Sequence, residues 1–292
     1  MTTDSQQPGP AFGPEWSASF LRGSSDEVRG WMETALAWCD ATDQIALEHF
    51  RRDLQLEQKP DTTFVTVADR GIEALVRERI GAQFPGHGVV GEEYGTDAGD
   101  ASVRWYVDPI DGTHNFIRGI PIFGTLLAAE RDGELQASVI SAPALGQRWY
   151  AWRGGGAWTT SALDGGSARR ISVSRISSIA DAQVLFASAG EVERSGLAPG
   201  FASLLAKAWR ERGFGDFWGY ALIADGAAEL MVEPDLWPWD AAAPMLLVEE
   251  AGGRATDFDG VRSVLNRTFL ATNGILHDTI RSMLIGRGEG ER

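Results

Sequence analysis

An apolar run that ends in acidic residues constrains this chain more than any other segment. Residues 105–107 have the composition of a buried strand, and Pro109 cannot donate to a strand ladder, so a sharp turn is expected there. Asp108 and Asp111 would then point to the same side, with the backbone carbonyl of Ile110 between them. Two carboxylates and a carbonyl that converge from one turn suit a hard cation such as Mg²⁺.

The two residues after this turn add a second kind of site. Gly112 and Thr113 carry backbone N–H groups that would form an anion-binding nest if a helix or tight turn begins there. One short segment could therefore hold a cation on one side and a phosphate group on the other. The alternative is that Asp-Pro and Asp-Gly are ordinary turn residues, which is the more common reason for such pairs.

Two further acidic segments lie where a strand is expected to end or a helix to begin. Glu92 follows the apolar pair at residues 89–90, and Asp240 opens a predicted helix. Each has a plain structural explanation, since a charge pair is usually a solvated loop and Asp is a common helix N-cap. The same holds for Asp69, which could cap a helix, and for Lys59, which by itself would be a solvated surface lysine.

Hydrophobic spacing predicts layered helices and sheets, α+β in the first half and α/β in the second. Apolar residues recur at helical spacing over residues 26–52 and 67–84, and strand-like runs follow. We expect a flexible tail at residues 1–24, an α+β half with an antiparallel sheet and the metal motifs at 25–165, and an α/β half that completes the active site at 166–292. The predicted strands are 89–90, 103–107, 125–130, 135–142, 148–152, 156–158, 184–187, 229–232 and 269–271, and the later helices are 201–212, 220–227, 239–251 and 274–285.

Composition narrows the classes of partner. The 292 residues include 41 acidic and 26 basic side chains, a formal net charge of −15, which argues against nucleic acid and anionic membranes as partners. A small phosphorylated metabolite stays compatible if a metal ion lies between protein and phosphate. No apolar run reaches the roughly 18 residues of a membrane-spanning helix. The single Cys39 cannot form an intrachain disulfide, and the N-terminus is unlike a signal peptide, so a cytoplasmic location is expected.

Taken together, these motifs resemble those of the inositol-monophosphatase family of Mg²⁺-dependent, lithium-sensitive phosphatases. The matching segments are VTVADR at residues 65–70, GEE at 91–93, WYVDPIDGTHNFIRGIP at 105–121 and WPWDAAAPMLLVEEAGG at 237–253. The resemblance implies a five-layer αβαβα sugar-phosphatase fold, hydrolysis of a phosphate monoester, and two or three Mg²⁺ ions per active site. Such relatives are commonly homodimers, and eleven tryptophans are more than one core needs, so a homodimer is expected.

The resemblance also implies roles for individual residues. Four carboxylates and one carbonyl would ligate metal, those of Glu92, Asp108, Ile110, Asp111 and Asp240. Gly112 and Thr113 would bind the phosphate group. Asp69, with Thr113, would position or deprotonate the attacking water, and Lys59 stands where the family often has a lysine near the active site. In that chemistry bound metal lowers the pKa of water and stabilises the leaving oxygen, so no protein nucleophile is needed.

A narrower resemblance is to the histidinol-phosphate phosphatases of this superfamily. It rests on NFIRGIP at residues 115–121, SAPALGQRWYAWRGGGAW at 141–158 and RERGFGDFWGYALIADGAAELMVEP at 210–234. His114 departs from the pattern, because those enzymes usually have Lys at this position and many other members have Thr. The alternatives are an inositol-1-monophosphatase, a broad-specificity sugar-phosphate phosphatase, or an inactive metal-binding subunit, which would be expected to lack a metal ligand.

Three residues are candidates for contacts with the rest of the substrate. Histidinol phosphate carries a primary amine and an imidazole, and an acidic residue beside the leaving group would favour either cation. Asp216 and Glu233 are the acidic candidates, and Glu233 aligns with the family position that contacts the alcohol part of the substrate. Asp216 could instead have a local turn or cap role. His114 is the third candidate, because its neighbours belong to the catalytic loop.

Overall fold

The computed structural model describes residues 26–52, 56–58, 64–99 and 102–286, so the tail predicted at residues 1–24 lies outside it. The helices are α1 (Asp26–His49), α2 (Val67–Gln83), α3 (Thr113–Ile117), α4 (Ala189–Arg194), α5 (Ala198–Leu205), α6 (Asp216–Ala224), α7 (Pro238–Glu250) and α8 (His277–Leu284). The strands are β1 (Glu57–Gln58), β2 (Phe64–Val65), β3 (Gly88–Gly91), β4 (Gly95–Asp97), β5 (Val103–Asp111), β6 (Gly124–Arg131), β7 (Glu134–Ala142), β8 (Gln147–Trp152), β9 (Gly156–Ser161), β10 (Ala168–Ile171), β11 (Gln183–Phe186), β12 (Arg210–Arg212), β13 (Leu230–Glu233), β14 (Arg254–Thr256) and β15 (Phe269–Thr272). Short 3₁₀ helices span Pro143–Leu145, Ala162–Asp164 and Ile179–Asp181.

The two N-terminal helices form where the sequence predicts them. Helix α1 buries one stripe of large side chains, among them Trp31, Trp38 and Cys39, because residues at intervals of three, four and seven share a helix face. Helix α2 adds Val76 and Ile80 to the same core. Cys39 is therefore a residue of this core.

Helix α2 starts at a capping box. The Thr66 hydroxyl accepts the N–H groups of Ala68 and Asp69, and the Asp69 carboxylate in turn accepts the Thr66 N–H at 2.8 Å. These bonds satisfy N–H groups that a helix start leaves without intrahelical partners. They also fix the Asp69 side chain at the first turn of the helix.

The first sheet has eight strands in the order β10-β9-β8-β7-β6-β5-β3-β4. Its neighbours are antiparallel, as predicted, except for β3 and β5, which run parallel. Strand β10 pairs with β9, so this sheet continues beyond residue 165, where the sequence suggested a division between the two halves. All four residues of β10 pair with residues of β9, so β10 is the edge strand of this sheet.

The second sheet has five strands in the order β12-β11-β13-β15-β14, with parallel and antiparallel neighbours. The helix predicted over residues 201–212 is wrong at its C-terminal end, because α5 stops at Leu205 and residues 210–212 pair with β11 instead. Arg210 and Trp209 donate their N–H groups to the Ala182 carbonyl, which turns the chain back to the sheet edge. Elements α4, β4, β10 and β14 were not predicted.

The layers follow from strand alternation, since successive side chains point to opposite faces of a sheet. On β6, Leu127 and Ala129 face helices α1 and α2, whereas Leu126 and Ala128 face helices α6 and α7. The other face of α6 and α7 meets the second sheet, whose far side packs against α5 and α8. The order is helix, sheet, helix, sheet, helix, so the predicted five-layer αβαβα fold is confirmed. Among the described helices, none has both the length and the apolar character needed to cross a membrane.

Candidate active site

The acidic turn lies at the C-terminal end of β5. The strand does not end at Pro109 as predicted but continues to Asp111, with an irregular register against β6 between Asp108 and Asp111. The Thr125 hydroxyl donates to the Pro109 carbonyl at 2.9 Å and so satisfies this interruption of the ladder. The bulge, rather than a strand end, places both carboxylates on one side.

Helix α7 brings a third carboxylate to the same place. One oxygen each from Asp108, Asp111 and Asp240 lies within 4.8 Å of the other two. Asp240 is in the first turn of α7, where it also accepts the Trp237 N–H at 3.0 Å. Asp240 thus does cap the start of its helix through the Trp237 N–H, as the structural explanation expected. The same carboxylate also lies beside Asp108 and Asp111.

The electrostatics of this cluster favour a bound cation. Burial, followed by repulsion from Glu92, raises the pKa of Asp108 well above its ordinary value. Burial likewise raises the pKa of Asp111 well above that value and that of Asp240 to about 7. Among the described residues, Asp108 Oδ1 and Asp69 Oδ1 are buried acceptors without a hydrogen-bond partner. Converging carboxylate oxygens, one of them buried without a donor, are the kind of ligand that Mg²⁺ prefers, so the residues fit a divalent cation.

Glu92 and Asp69 are close enough to the cluster for their charges to interact with it or with each other. Glu92 follows β3, and its N–H donates to the Val107 carbonyl at 3.3 Å. Its charge acts on both Asp108 and Asp69. Burial raises the pKa of Asp69 to about 6, against the opposing effect of its bonds to Thr66. Sequence-distant carboxylates therefore meet around one point.

The residues predicted to bind phosphate border the cluster. Gly112 has φ of +78°, a left-handed conformation that suits glycine, and helix α3 starts at the next residue. Gly112 provides no side-chain cap for the first turn of α3. The Thr113 hydroxyl donates to the Ile110 carbonyl at 3.0 Å, and that carbonyl, with two lone pairs, can accept a second partner.

One cavity of about 330 Å³ joins most of the predicted site. It is lined by Glu92, Asp108, Ile110, Asp111, Gly112, Thr113, His114, Asp216, Glu233 and Asp240. Asp69 is not among the lining residues. Lys59 lies outside the described residues. The lining also includes residues that sequence reasoning missed, namely Phe64, Ala187, Ser188, Glu191, Phe217, Tyr220, Asp235 and Leu236.

The Asp216 side chain has its hydrogen-bond partner outside its own helix. Asp216 is the first residue of α6 with φ of +56°, which is uncommon for a residue other than glycine. Asn115 Nδ2 donates to Asp216 Oδ2 and to the Ile122 carbonyl, both at 2.9 Å. Burial raises the pKa of Asp216, and the charge of nearby His114 opposes that shift. Its side chain forms no cap on α6, and its hydrogen bond is with Asn115 of α3 rather than with a neighbouring residue.

Helix α6 also contacts Asp111 of the carboxylate cluster and Glu233, a second acidic residue of the cavity. The Phe217 N–H donates to Asp111 Oδ2 at 2.6 Å, which ties α6 to the carboxylate cluster. The Tyr220 hydroxyl donates to Glu233 Oε2, and burial raises the pKa of Glu233 well above its ordinary value. The Asn115 and Tyr220 contacts join segments 101 and 13 residues apart, and no local pattern in the sequence indicates them.

Comparisons with known proteins agree with this arrangement. The sequence model of the inositol monophosphatase family matches residues 27–285. A histidinol-phosphatase of Mycobacterium tuberculosis is 43% identical over 251 residues, which cover 86% of this chain and 96% of that protein. A histidinol-phosphatase of Streptomyces coelicolor is 41% identical over 84% of this chain and 93% of its own length. An inositol-1-monophosphatase of Mesorhizobium japonicum is 32% identical over 77% of this chain and 84% of its own.

Solved structures share the fold. A Thermotoga maritima IMPase superposes with a TM-score of 0.78 at 27% identity, over 88% of this chain and 97% of that one. An inositol monophosphatase from Anabaena superposes with a TM-score of 0.75 at 25% identity, over 89% and 97%.

Proposed function

Because this chain belongs to the inositol monophosphatase family and is therefore a phosphoric monoester hydrolase, we propose that it hydrolyses histidinol phosphate with Mg²⁺ as cofactor. The products would be histidinol and phosphate, which would place the enzyme in histidine biosynthesis. The observation that carries this proposal is a second acidic group, Asp216 and Glu233, in the same cavity as the carboxylate cluster. Relatives named histidinol-phosphatase support it further.

The proposed metal site uses oxygens that the protein leaves available. Asp108, Asp111 and Asp240 would hold the ions together with Glu92 and the Ile110 carbonyl, and the buried Oδ1 of Asp108 supports this choice. Two or three Mg²⁺ ions would neutralise the crowded carboxylates. Bound Mg²⁺ supplies Lewis-acid polarisation of the phosphate and a lowered pKa for water.

The protein's own groups would orient the reacting partners. Backbone N–H groups at Gly112 and Thr113 would receive the phosphate oxygens, since the first turn of α3 has no side-chain cap at Gly112. Asp69 would orient the attacking water and accept its proton, because its Oδ2 is fixed by Thr66 while Oδ1 is without a partner. We also retain Lys59 as a proposed catalytic residue on the sequence argument alone.

The alcohol part of the substrate would lie against the second acidic group. Asp216 faces His114 and is fixed by Asn115, so its carboxylate is directed before substrate arrives. A cationic amine or imidazole would gain a charge-assisted hydrogen bond there. Glu233 would be the second acceptor, since Tyr220 occupies one of its two oxygens. A neutral polyol phosphate gains less from such a site.

The alternative is an inositol-1-monophosphatase or a broad-specificity sugar-phosphate phosphatase. The Tyr220–Glu233 pair favours it, because a buried hydroxyl–carboxylate pair can also bind sugar hydroxyls. Relatives named inositol-1-monophosphatase are 32% and 34% identical to this chain.

A substrate panel tests the proposal. Purified enzyme with Mg²⁺ is assayed for phosphate release from histidinol phosphate, inositol 1-phosphate and fructose 1,6-bisphosphate, with chelator as the control. We expect kcat/KM for histidinol phosphate to exceed the others at least tenfold, and all activity to need the metal. Equal or better hydrolysis of inositol 1-phosphate would support the alternative instead.

We also propose a cytoplasmic homodimer. The support is the sequence alone, namely eleven tryptophans and a single cysteine. Sedimentation equilibrium measures the mass in solution, and a monomeric mass at micromolar concentration would overturn the dimer.

A further inference from the structure

We propose that Glu73 is a positioning residue that fixes the loop carrying Glu92 and thereby sets the metal affinity of the site. This inference rests on the proposed function, because Glu92 matters here as a metal ligand. It adds a residue that approaches the site through a backbone loop rather than through the cavity, since Glu73 does not line the cavity.

Helix α2 places two acidic residues toward the same region. Asp69 and Glu73 are four residues apart, so their side chains share one face of the helix. Both side chains are fully buried. They differ in their partners, because Asp69 Oδ1 has none among the described residues whereas both oxygens of Glu73 are used.

The Glu73 carboxylate is wrapped by the loop that follows β3. Its Oε2 accepts the Glu93 N–H at 2.6 Å, and its Oε1 accepts the Tyr94 N–H at 3.2 Å. Arg77 Nε donates to Oε1 at 2.7 Å, and Arg77 Nη2 donates to the Gly95 carbonyl. The carboxylate therefore binds the two residues directly after Glu92, and its partner Arg77 binds the third.

The residue before Glu92 is fitted to the same carboxylate. A methyl group at Gly91 would overlap the Glu73 carboxylate, so only glycine allows this close approach. Gly91 also pairs with Val107 across the parallel strands β3 and β5. The backbone around Glu92 is thus fixed before it by the pairing of Gly91 with β5, and after it by the Glu73 carboxylate, by Arg77 and by the pairing of β4 with β3.

This arrangement predicts an effect on metal binding rather than on chemistry. Groups that orient metal ligands through hydrogen bonds typically change metal affinity by 10- to 100-fold when removed. Replacing one Glu73 oxygen with an NH₂ group leaves at least one of the three donors without an acceptor. Glu92 would then explore more positions, while a saturating metal concentration would still assemble the site.

The test is the Glu73→Gln variant, with Glu78→Gln as a matched control. Glu78 lies on the exposed side of the same helix, so its substitution removes the same charge without touching the loop. Calorimetric titration with Mg²⁺ in the absence of substrate gives the metal Kd, and assays over a range of Mg²⁺ concentrations give kcat at saturation. Unfolding temperature in chelator reports any general loss of stability.

We expect Glu73→Gln to raise the metal Kd at least tenfold and to keep kcat at saturating Mg²⁺ within threefold of the wild type, with Glu78→Gln unchanged. A wild-type Kd in Glu73→Gln would overturn this inference alone, whereas absence of Mg²⁺ binding by the wild type would overturn the proposed metal site as well. If Glu73→Gln does not fold, Arg77→Gln removes the partner that orients Glu73 and should raise the Kd about threefold. An unchanged Kd in that variant would also overturn the inference.

Discussion

Two groups of buried carboxylates in this fold are neutralised in different ways. Between α1 and the first sheet, Asp43 accepts the Ser141 hydroxyl at 2.8 and 2.9 Å and pairs with Arg148 Nη2 at 2.5 Å. In the carboxylate cluster, Asp108 and Asp111 have no ion pair with a basic side chain among the described residues. The charge of Asp43 is balanced by the guanidinium of Arg148, whereas no basic side chain among the described residues balances Asp108 or Asp111.

The difference shows which buried charges are structural and which are functional. A buried charge without a partner is costly, so a chain that folds with one must neutralise it by protonation or by a cation from outside. Arg148 removes that requirement at Asp43. At Asp108 the requirement remains, because one oxygen is buried without a hydrogen-bond partner.

Asp111→Asn should reduce kcat at least 1,000-fold, equivalent to about 4 kcal/mol of transition-state stabilisation. The amide cannot provide the charge that holds the metal, although the Phe217 N–H can still donate to its oxygen. The measurement is phosphate release at saturating Mg²⁺. The unfolding temperature in chelator should not fall, because the substitution removes repulsion among buried carboxylates. Near-normal turnover would contradict the metal-site assignment.

Asp43→Asn should show the opposite pattern. Removing one partner of a buried ion pair costs about 3 kcal/mol, because Arg148 keeps its charge while losing its buried partner. The unfolding temperature should fall by roughly 6–12 °C in a protein of this size. Turnover per folded molecule should stay within twofold of the wild type. Loss of turnover without loss of stability would remove the distinction between the two groups.

The contrast also explains what the sequence could predict. Asp108 and Asp111 share one short segment, so their convergence could be expected from the break at Pro109, although a bulge in β5 rather than a strand end produces it. Asp240 was recognised through its motif, but its meeting with them depends on α7 packing between the sheets. The role proposed for Glu73 was not predictable, because its contacts with the loop are with the backbone of Glu93 and Tyr94, whose side-chain identities carry no signal.

The errors in the predicted fold have a similar origin. Residues 210–212 read as the end of a helix, but they pair with β11, and such pairing depends on a strand far away in sequence. Pro109 was expected to end its strand, yet a bulge and the Thr125 hydroxyl let the strand continue. Local propensity predicted the long helices correctly and failed at the edge strand β12 and at the bulge in β5.

Asp216 lies between the two extremes, since its partner is the neutral amide of Asn115. Asp216→Asn should raise KM for histidinol phosphate about tenfold, because the cationic leaving group loses a charged acceptor. Activity toward inositol 1-phosphate should change less than twofold. Steady-state kinetics with both substrates at saturating Mg²⁺ give the comparison. An equal loss for both substrates would indicate a structural role.

The smallest expected effect is the pH dependence of the unfolding temperature of the metal-free protein, which reports on protonation of the carboxylate cluster. Burial raises the pKa of Asp240 to about 7 from an ordinary value of 3.8, so the folded state binds more protons than the unfolded chain between these values. Stability in chelator should therefore increase as pH falls from 8 to 6, by a few degrees in unfolding temperature. The stability contributed by protonated Asp240 is lost as pH rises through 7.

The control for this experiment is Asp240→Asn. The variant keeps every other titrating group, so the difference between pH 6 and pH 8 should become smaller than in the wild type. Thermal unfolding followed by tryptophan fluorescence measures both proteins. The same pH response in the two proteins would show that Asp240 is not a source of the effect.

The most direct test of the account is calorimetric titration with Mg²⁺ in the absence of substrate, on the wild type, Asp111→Asn and Asp43→Asn. We expect saturable binding to the wild type, a loss of at least tenfold in affinity for Asp111→Asn, and wild-type affinity for Asp43→Asn. Binding that is equal in the wild type and Asp111→Asn, or absent from the wild type, would contradict it.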